Sequence, residues 1–309
     1  MTDLLAKRFT DETAARKHLE RVRWPDGPIC PHCGSIDRAH RIEGKSARPG
    51  LWFCAECREQ FTVTVGTVFE RSKIGLHKWL LAVHMLSSSK KGMSAHQLHR
   101  MLGVTYKTAW FMCHRIREAM KADTSEPMGG AGKIIEADET YLGWTDEGPQ
   151  KGKRGKKAGP SGKRAVVSLV ERGGHVRTFH VKRADMVTVQ EILFRNVDRA
   201  SALHTDESRL YMQPGAEFAD HQSVKHSAGE YVRNGTIHSN TVENYFSIFK
   251  RGMKGVYQHC GEQHLQRYVT EFDFRYSNRI GLGVDDAARA DKALKGIGGK
   301  RLTYRRTHG

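Results

Sequence analysis

Residues 133–143 read KIIEADETYLG, a short apolar strand that runs into acidic residues, and the rest of the chain is organised around this stretch. Side chains alternate faces along a strand, so Asp138 shares a face with Glu136 and not with Glu139. Asp138 lies nearer the strand end and is the better candidate for chemistry. Downstream, RAVVSLVE (164–171) and HVRTFHVK (175–182) read as the next two strands, joined through Arg172, Gly173 and Gly174. MVTVQEILFRNV (186–197) suits a helix, and ASALHTDES (200–208) a further strand that again ends in a carboxylate, Asp206. This order predicts a mixed α/β sheet with Asp206 on a strand adjoining that of Asp138.

A third carboxylate, Glu243, falls in HSNTVENYFSIFKRG (238–252), a helical segment. Lys250 follows two turns later on nearly the same face, where its ammonium could contact a DNA phosphate, and Arg251 and Lys254 extend the basic rim. Cleavage of a phosphodiester by Mg²⁺ or Mn²⁺ needs hard oxygen ligands brought together from different elements, and Asp138, Asp206 and Glu243 have that character. The competing reading of each is a solvated surface carboxylate, since 34 acids offer many false triads. His204, His226 and His238 flank the acids and suit either phosphate orientation or a structural role, while Tyr141 and Tyr245 read as packing residues.

Upstream, Thr10 to Arg23 has helical character, with Ala14, Ala15, Leu19 and Val22 on one stripe and Thr10 or Asp11 as the cap. Twenty residues separate Cys33 of CPHCG (30–34) from Cys54 of CAEC (54–57), and the β-rich FTVTVGTVF follows. Two CxxC knuckles supply four thiolates for a closed tetrahedral Zn²⁺ site, so Cys30, Cys33, Cys54 and Cys57 predict a zinc ribbon; disulfide pairing is the alternative. Three helical patterns follow between Ile74 and Met120. Ser94 can cap a short helix carrying Leu98 and Met101, Gly103 forms the turn, and Thr105 opens a longer helix with Ala109, Met112 and Ile116 inward. This is a helix-turn-helix layout whose second helix offers Tyr106, Lys107, His114, Arg115 and Arg117 to DNA, unless it is an ordinary packing unit with a solvated basic face.

The 309 residues carry 51 Lys plus Arg against 34 Asp plus Glu, and the resulting formal charge of +17 points to a polyanionic partner. Residues 149–164 hold seven of the basic residues and no acid. They leave the same sheet that carries the acids, so Lys153, Arg154, Lys156 and Lys157 are candidate DNA clamps rather than a plain solvated run. No apolar run is long enough to span a bilayer and the first 23 residues lack a signal-peptide core, so the expected place is the cytoplasm, near the nucleoid.

These motifs together resemble the DDE transposases of bacterial insertion sequences, in the ISXO2-like class with an N-terminal zinc ribbon. The residues that carry the likeness are the two knuckles, LGVTYKTAWFMCHRIR, EADETYLG, LHTDES, HSAGEYVRNGTIHSNTVENYFSIFKRGMKGVY and HLQRYVTEFDFRYSNR, spanning Trp24 to Arg279. The resemblance implies a multidomain α/β chain: helix and zinc ribbon in 1–68, helix-turn-helix in 69–125, an RNase H-like catalytic domain in 130–280 and a peripheral basic tail in 281–309. It further implies Asp138 on the first strand of that domain, Asp206 on the fourth, Glu243 on a following helix and Lys250 as the trailing basic residue, acting on DNA as a homo-oligomer. Trp144 stands where the family's DETYxGG pattern has its second glycine, outside the ligand set. Rival readings are a non-catalytic DNA-binding regulator, such as a domesticated transposase, and a metal-dependent nuclease that cuts without joining.

Overall fold

The structure, a computed structural model, describes residues 3–146, 162–225, 228–230, 232–233 and 235–303. His226 and the four clamp candidates Lys153, Arg154, Lys156 and Lys157 lie outside the described residues. The chain forms two compact units, one from Met1–Lys121 with Val284–Gly309, the other from Ala122–Gly283.

The first unit opens with α1 (Lys7–Thr10) and α2 (Glu12–Arg23), the latter capped by the Asp11 side chain accepting from the Ala14 amide. Strands β1 (Ala39–Arg41), β2 (Trp52–Cys54) and β3 (Gln60–Phe61) form an antiparallel ribbon in that order. Trp24, at the end of α2, meets Trp52 and Phe61 edge-on, which ties the helix to the ribbon. Helix α3 (Leu76–Ser88) is buried on most sides, as its nearly unbroken apolar sequence requires. Helices α4 (Ala95–Leu102) and α5 (Tyr106–Ala119) follow. Ser94 and Thr105 cap them as expected, and Gly103 ends α4 at φ +60°, a left-handed conformation natural to glycine. Met101, expected inward, is 54% exposed.

The second unit begins with β4 (Ile134–Trp144), β5 (Lys163–Glu171) and β6 (Val176–Val181). It continues through α6 (Met186–Asn196), β7 (Ala202–Asp206), α7 (Arg209–Gly215), β8 (Asp220–Val224), α8 (Asn240–Gly252) and α9 (Leu265–Ser277). The sheet order is β6-β5-β4-β7-β8, antiparallel through β6, β5 and β4 and parallel from β4 to β7 and β8. Two cores cover its faces. Ile135, Ala137, Val167 and Leu169 pack with α6, α7 and Leu203, while Val166, Val170 and Val176 pack with Val242, Phe246, Phe249 and α9. The alternation of β4 residues between these cores follows from strand geometry. This mixed sheet between two helical layers is the mixed α/β arrangement that the strand order predicted.

The C-terminal segment differs from the expected peripheral tail. Helix α10 (Asp286–Lys295) packs in the first unit against α3, α2 and α5 and buries Ala290, Ala293, Leu294 and, beyond its end, Ile297. These residues recur at i, i+3, i+4 and i+7, an apolar stripe that outweighs the surrounding basic charge. A Cβ at Gly296 would meet the Ala119 carbonyl at 2.2 Å, so only glycine permits this approach. Leu294→Ala should destabilise the first unit by about 2–5 kcal/mol. Urea unfolding followed by tryptophan fluorescence checks it, because Trp24, Trp52, Trp79 and Trp110 all lie in this unit; an unchanged midpoint would return the segment to the periphery.

Candidate metal centre and active site

The ribbon brings its four cysteines together through two knuckles of matching geometry. The Gly34 amide donates to the Cys30 carbonyl and the Arg58 amide to the Cys54 carbonyl, each at 2.9 Å, with φ of +75° and +59° at the turning residues. Cys30 and Cys57 sulfurs stand 3.6 Å apart and Cys33 and Cys54 sulfurs 3.7 Å, too far for a disulfide. Thiolates bound about 2.3 Å from a tetrahedral zinc would be about 3.8 Å apart, so the donor set fits that ion. The backbone amides of Cys57 and Glu56 bring the Cys54 thiol down to about 7, whereas burial and the other three sulfurs push the Cys57 thiol up to about 12.

In the second unit, parallel pairing of β4 with β7 sets Ile134 opposite Ala202, Ile135 opposite Leu203 and Glu136 opposite His204. Two residues further along each strand stand Asp138 and Asp206, on the same face; Asp206 ends β7, whereas Asp138, expected near its strand end, lies mid-strand because β4 continues in its pairing with β5 to Trp144. Asp138 accepts the Glu139 amide at 2.7 Å, and Asp206 the Ser208 amide at 3.0 Å. Burial, then repulsion from Asp206, Glu139 and Glu243, raises the Asp138 carboxyl well above its ordinary 3.8.

A cleft of ≈ 670 Å³ is lined by Asp138, Glu139, Glu243, Lys250, Arg251 and Lys254, together with Phe246 and Ser247. Glu243, Ser247, Lys250, Arg251 and Lys254 recur at i, i+4, i+7, i+8 and i+11, one face of α8 continued into a π-helical turn, Met253–Tyr257. The opposite face holds α8 on the sheet. Tyr245 is buried there, as a packing residue should be, and its hydroxyl donates to Asp273 at 2.6 Å. Among the described residues the four cysteines are the group of three or more possible metal ligands whose donor atoms lie within 4.8 Å of one another. The acids are more widely set, around an open cleft.

Three groups here escaped the sequence reading. Glu139 lines the cleft and accepts from the buried Tyr211 hydroxyl at 2.9 Å. Glu136, passed over in favour of Asp138, is fully buried and receives the Arg172 guanidinium at 2.6 Å. Arg172, read only as a turn residue, also reaches His204 Nδ1 at 3.1 Å and the His238 carbonyl at 2.8 Å. The pairing of Glu136 with Arg172 had no local signal, because the residues are 36 apart and meet through strand pairing.

Three candidate DNA contacts need correction. His114 is fully buried, Arg115 is 7% exposed and donates to the carbonyls of Glu70 and Leu302, and Arg117 is 2% exposed. Residue type alone put them on the surface, but α5 packs against α3, α4 and α10. Lys107 is exposed, next to Tyr106 at 45%, which stacks on His96 with ring centroids 4.2 Å apart.

Comparison with known proteins bears on both units. The family model of the ISXO2-like transposase domain matches residues 129–277, and that of the transposase zinc-ribbon domain matches residues 10–60. The chain is 30% identical over 284 residues to the uncharacterized protein in transposable element ISH50 of Halobacterium salinarum, covering 87% of this chain and 92% of that one. A chain of the Mos1 transposase paired-end complex with left transposon end overlaps 63% of this chain and 78% of its own at 10% identity. Its TM-score of 0.20 is too low to bear on fold or function. No helix among the described residues is long and apolar enough to cross a membrane.

Cys30→Ser or Cys54→Ser should release zinc and unfold the ribbon while residues 122–283 stay folded, which metal analysis and hydrogen exchange would show. Full zinc content in either variant would remove these thiols from the site. Asp138 gives a second expectation. Its folded-state pKa is raised, so the folded protein binds that proton more tightly than the unfolded chain, and stability falls as pH rises above about 3.8. Without added Mg²⁺, Asp138→Asn should therefore melt higher than the unchanged protein at pH 8, with the gap closing toward pH 4. Equal melting temperatures at pH 8 would show that the carboxylate carries no such strain.

Proposed function

The chain belongs to the ISXO2-like transposase family, and on that premise we propose that it cuts DNA at the ends of an insertion element and joins those ends to target DNA. The observation that carries the reading is the meeting of acids from a strand and a helix in one cleft with a basic helical face, Asp206 lying beside Asp138 on the next strand. Acids alone would suit a cation; acids facing Lys250, Arg251 and Lys254 suit a cation together with a phosphodiester.

Asp138, Asp206 and Glu243 would hold Mg²⁺ or Mn²⁺. The donor chemistry fits, because hard carboxylate oxygens that repel one another gain most from a divalent ion between them. When bound, that ion supplies Lewis acidity to the attacking and leaving oxygens. Lys250 is half-buried, two turns from Glu243, and suits a non-bridging phosphate oxygen, with Arg251 and Lys254 tracking the backbone beyond it. Hydrolysis at an element end leaves a 3′-hydroxyl, and transesterification by that hydroxyl then joins it to a target phosphate and expels the target's own 3′-oxygen. The zinc ribbon, Lys107 and Tyr106 would add DNA contacts outside the cleft, and a homo-oligomer would hold two ends together.

The test is Mg²⁺-dependent nicking and strand transfer on DNA carrying the sequences that flank the gene. The unchanged protein should join ends to target, while Asp138→Asn, Asp206→Asn and Glu243→Gln should bind the same DNA and lose activity by 10³-fold or more, on the order expected when a reaction loses its metal. Lys250→Ala should keep its fold and lose end cleavage. Binding of the flanks without cutting in Mg²⁺ or Mn²⁺ would favour a DNA-binding regulator, and cutting without joining a nuclease.

A further inference from the structure

A carboxylate without solvent contact needs donors at both oxygens, and Glu136 takes most of its donors from a single helix end. Its Oε2 accepts the backbone amides of Thr241 at 2.8 Å and Val242 at 3.0 Å, and its Oε1 accepts the Thr241 hydroxyl at 2.8 Å and Arg172 Nε at 2.6 Å. Thr241 and Val242 are the second and third residues of α8. The helix has no side-chain cap of its own at Ser239, so two of the amides every helix leaves unpaired at its start are satisfied by a strand 105 residues away. Arg172 closes the arrangement, donating from its other nitrogens to the carbonyls of Thr236 at 2.6 Å and His238 at 2.8 Å in the segment leading into α8.

Glu243 is the residue after Val242, and its own amide is bound to the Ser239 carbonyl at 3.1 Å. Asp138 lies two residues beyond Glu136 on the same face of β4, about 7 Å along the strand. One buried carboxylate thus connects the strand that carries one acid of the site to the helix turn that carries another.

We propose that Glu136 is a positioning residue for the metal site, which fixes the start of α8 over β4 so that Glu243 stands at ligand distance from an ion shared with Asp138 and Asp206. The inference rests on the proposed metal-dependent reading of the cleft. Loss of such a support typically weakens metal binding 10–100-fold even though no ligand has changed.

The experiment compares the unchanged full-length protein with Glu136→Gln, which keeps the shape but turns an all-acceptor group into one that also donates toward Arg172 and the α8 amides. Two readouts are taken: hydrogen exchange at the Thr241 and Val242 amides, and Mn²⁺ binding by electron paramagnetic resonance. The expected result is loss of protection at those two amides and Mn²⁺ affinity about tenfold weaker, with zinc content and affinity for flank DNA unchanged. Cleavage should show a lower kcat at saturating DNA and an unchanged KM. Mn²⁺ affinity and kcat within twofold of the unchanged protein, with the amides deprotected, would overturn the proposal and leave Glu136 a stabilising group only. If Glu136→Gln does not fold, Thr241→Val carries the test, since it removes one neutral donor and keeps both charges. Mn²⁺ affinity about threefold weaker then supports positioning, and unchanged affinity overturns it. Failure of the metal-dependent reading itself shows separately, as absence of Mn²⁺ binding in the unchanged protein.

Discussion

Burying a carboxylate in the interior of an α/β sandwich is costly unless donors are brought to it, and this requirement at Glu136 organises the second unit. The donors come from α8 and from the β5–β6 turn, elements far apart in sequence, so the fold that satisfies Glu136 has already set α8 across the sheet. The buried contacts of Val242, Tyr245, Phe246 and Phe249 then hold the helix down, and the polar stripe from Glu243 to Lys254 is left facing the cleft. Apolar packing alone fixes which face of α8 lies inward but leaves it free to slide along its axis. The pair of amides on one carboxylate removes that freedom.

The strand makes its own contribution through parity. On β4 the odd-numbered Ile135 and Ala137 belong to the core with α6 and α7, while the even-numbered Glu136 and Asp138 face the α8 layer. A one-residue slip would exchange the two sets and set Glu136 and Asp138 against α6 in place of Ile135 and Ala137. The register that protects the core is therefore the same register that sets Asp138 beside Asp206 across the parallel pair.

What the sequence disclosed follows the range of the interactions involved. The zinc ribbon was legible because each knuckle is four residues long and its ligand spacing is local. The caps at Asp11, Ser94 and Thr105 were legible for the same reason. Asp206 at the end of β7 and Glu243 in the first turn of α8 could be nominated from their places in the pattern and Asp138 from its parity on β4, and the family resemblance selected the three from 34 candidates. Arg115 and Arg117 were misjudged because their burial depends on partners such as α10 and Leu302, more than 160 residues away. Strand β8 and helix α7 were not anticipated at all. DHQSV has little apolar alternation, and α7 is short and carries Pro214 inside it.

Counting acceptor sites favours Asp138 over Glu136, a choice that strand parity alone leaves open. A carboxylate has about four lone-pair positions. At Glu136 four protein donors occupy them, so it has none to offer a cation. At Asp138 one backbone amide is taken from the described residues, and burial, then the surrounding carboxylates, push its charge toward neutrality. Two acids of one face, separated by one residue, are thus driven to opposite roles by their neighbours. The first is satisfied by the protein and holds the frame; the second is left in want of a positive charge, and that want is what a divalent ion in the cleft would answer.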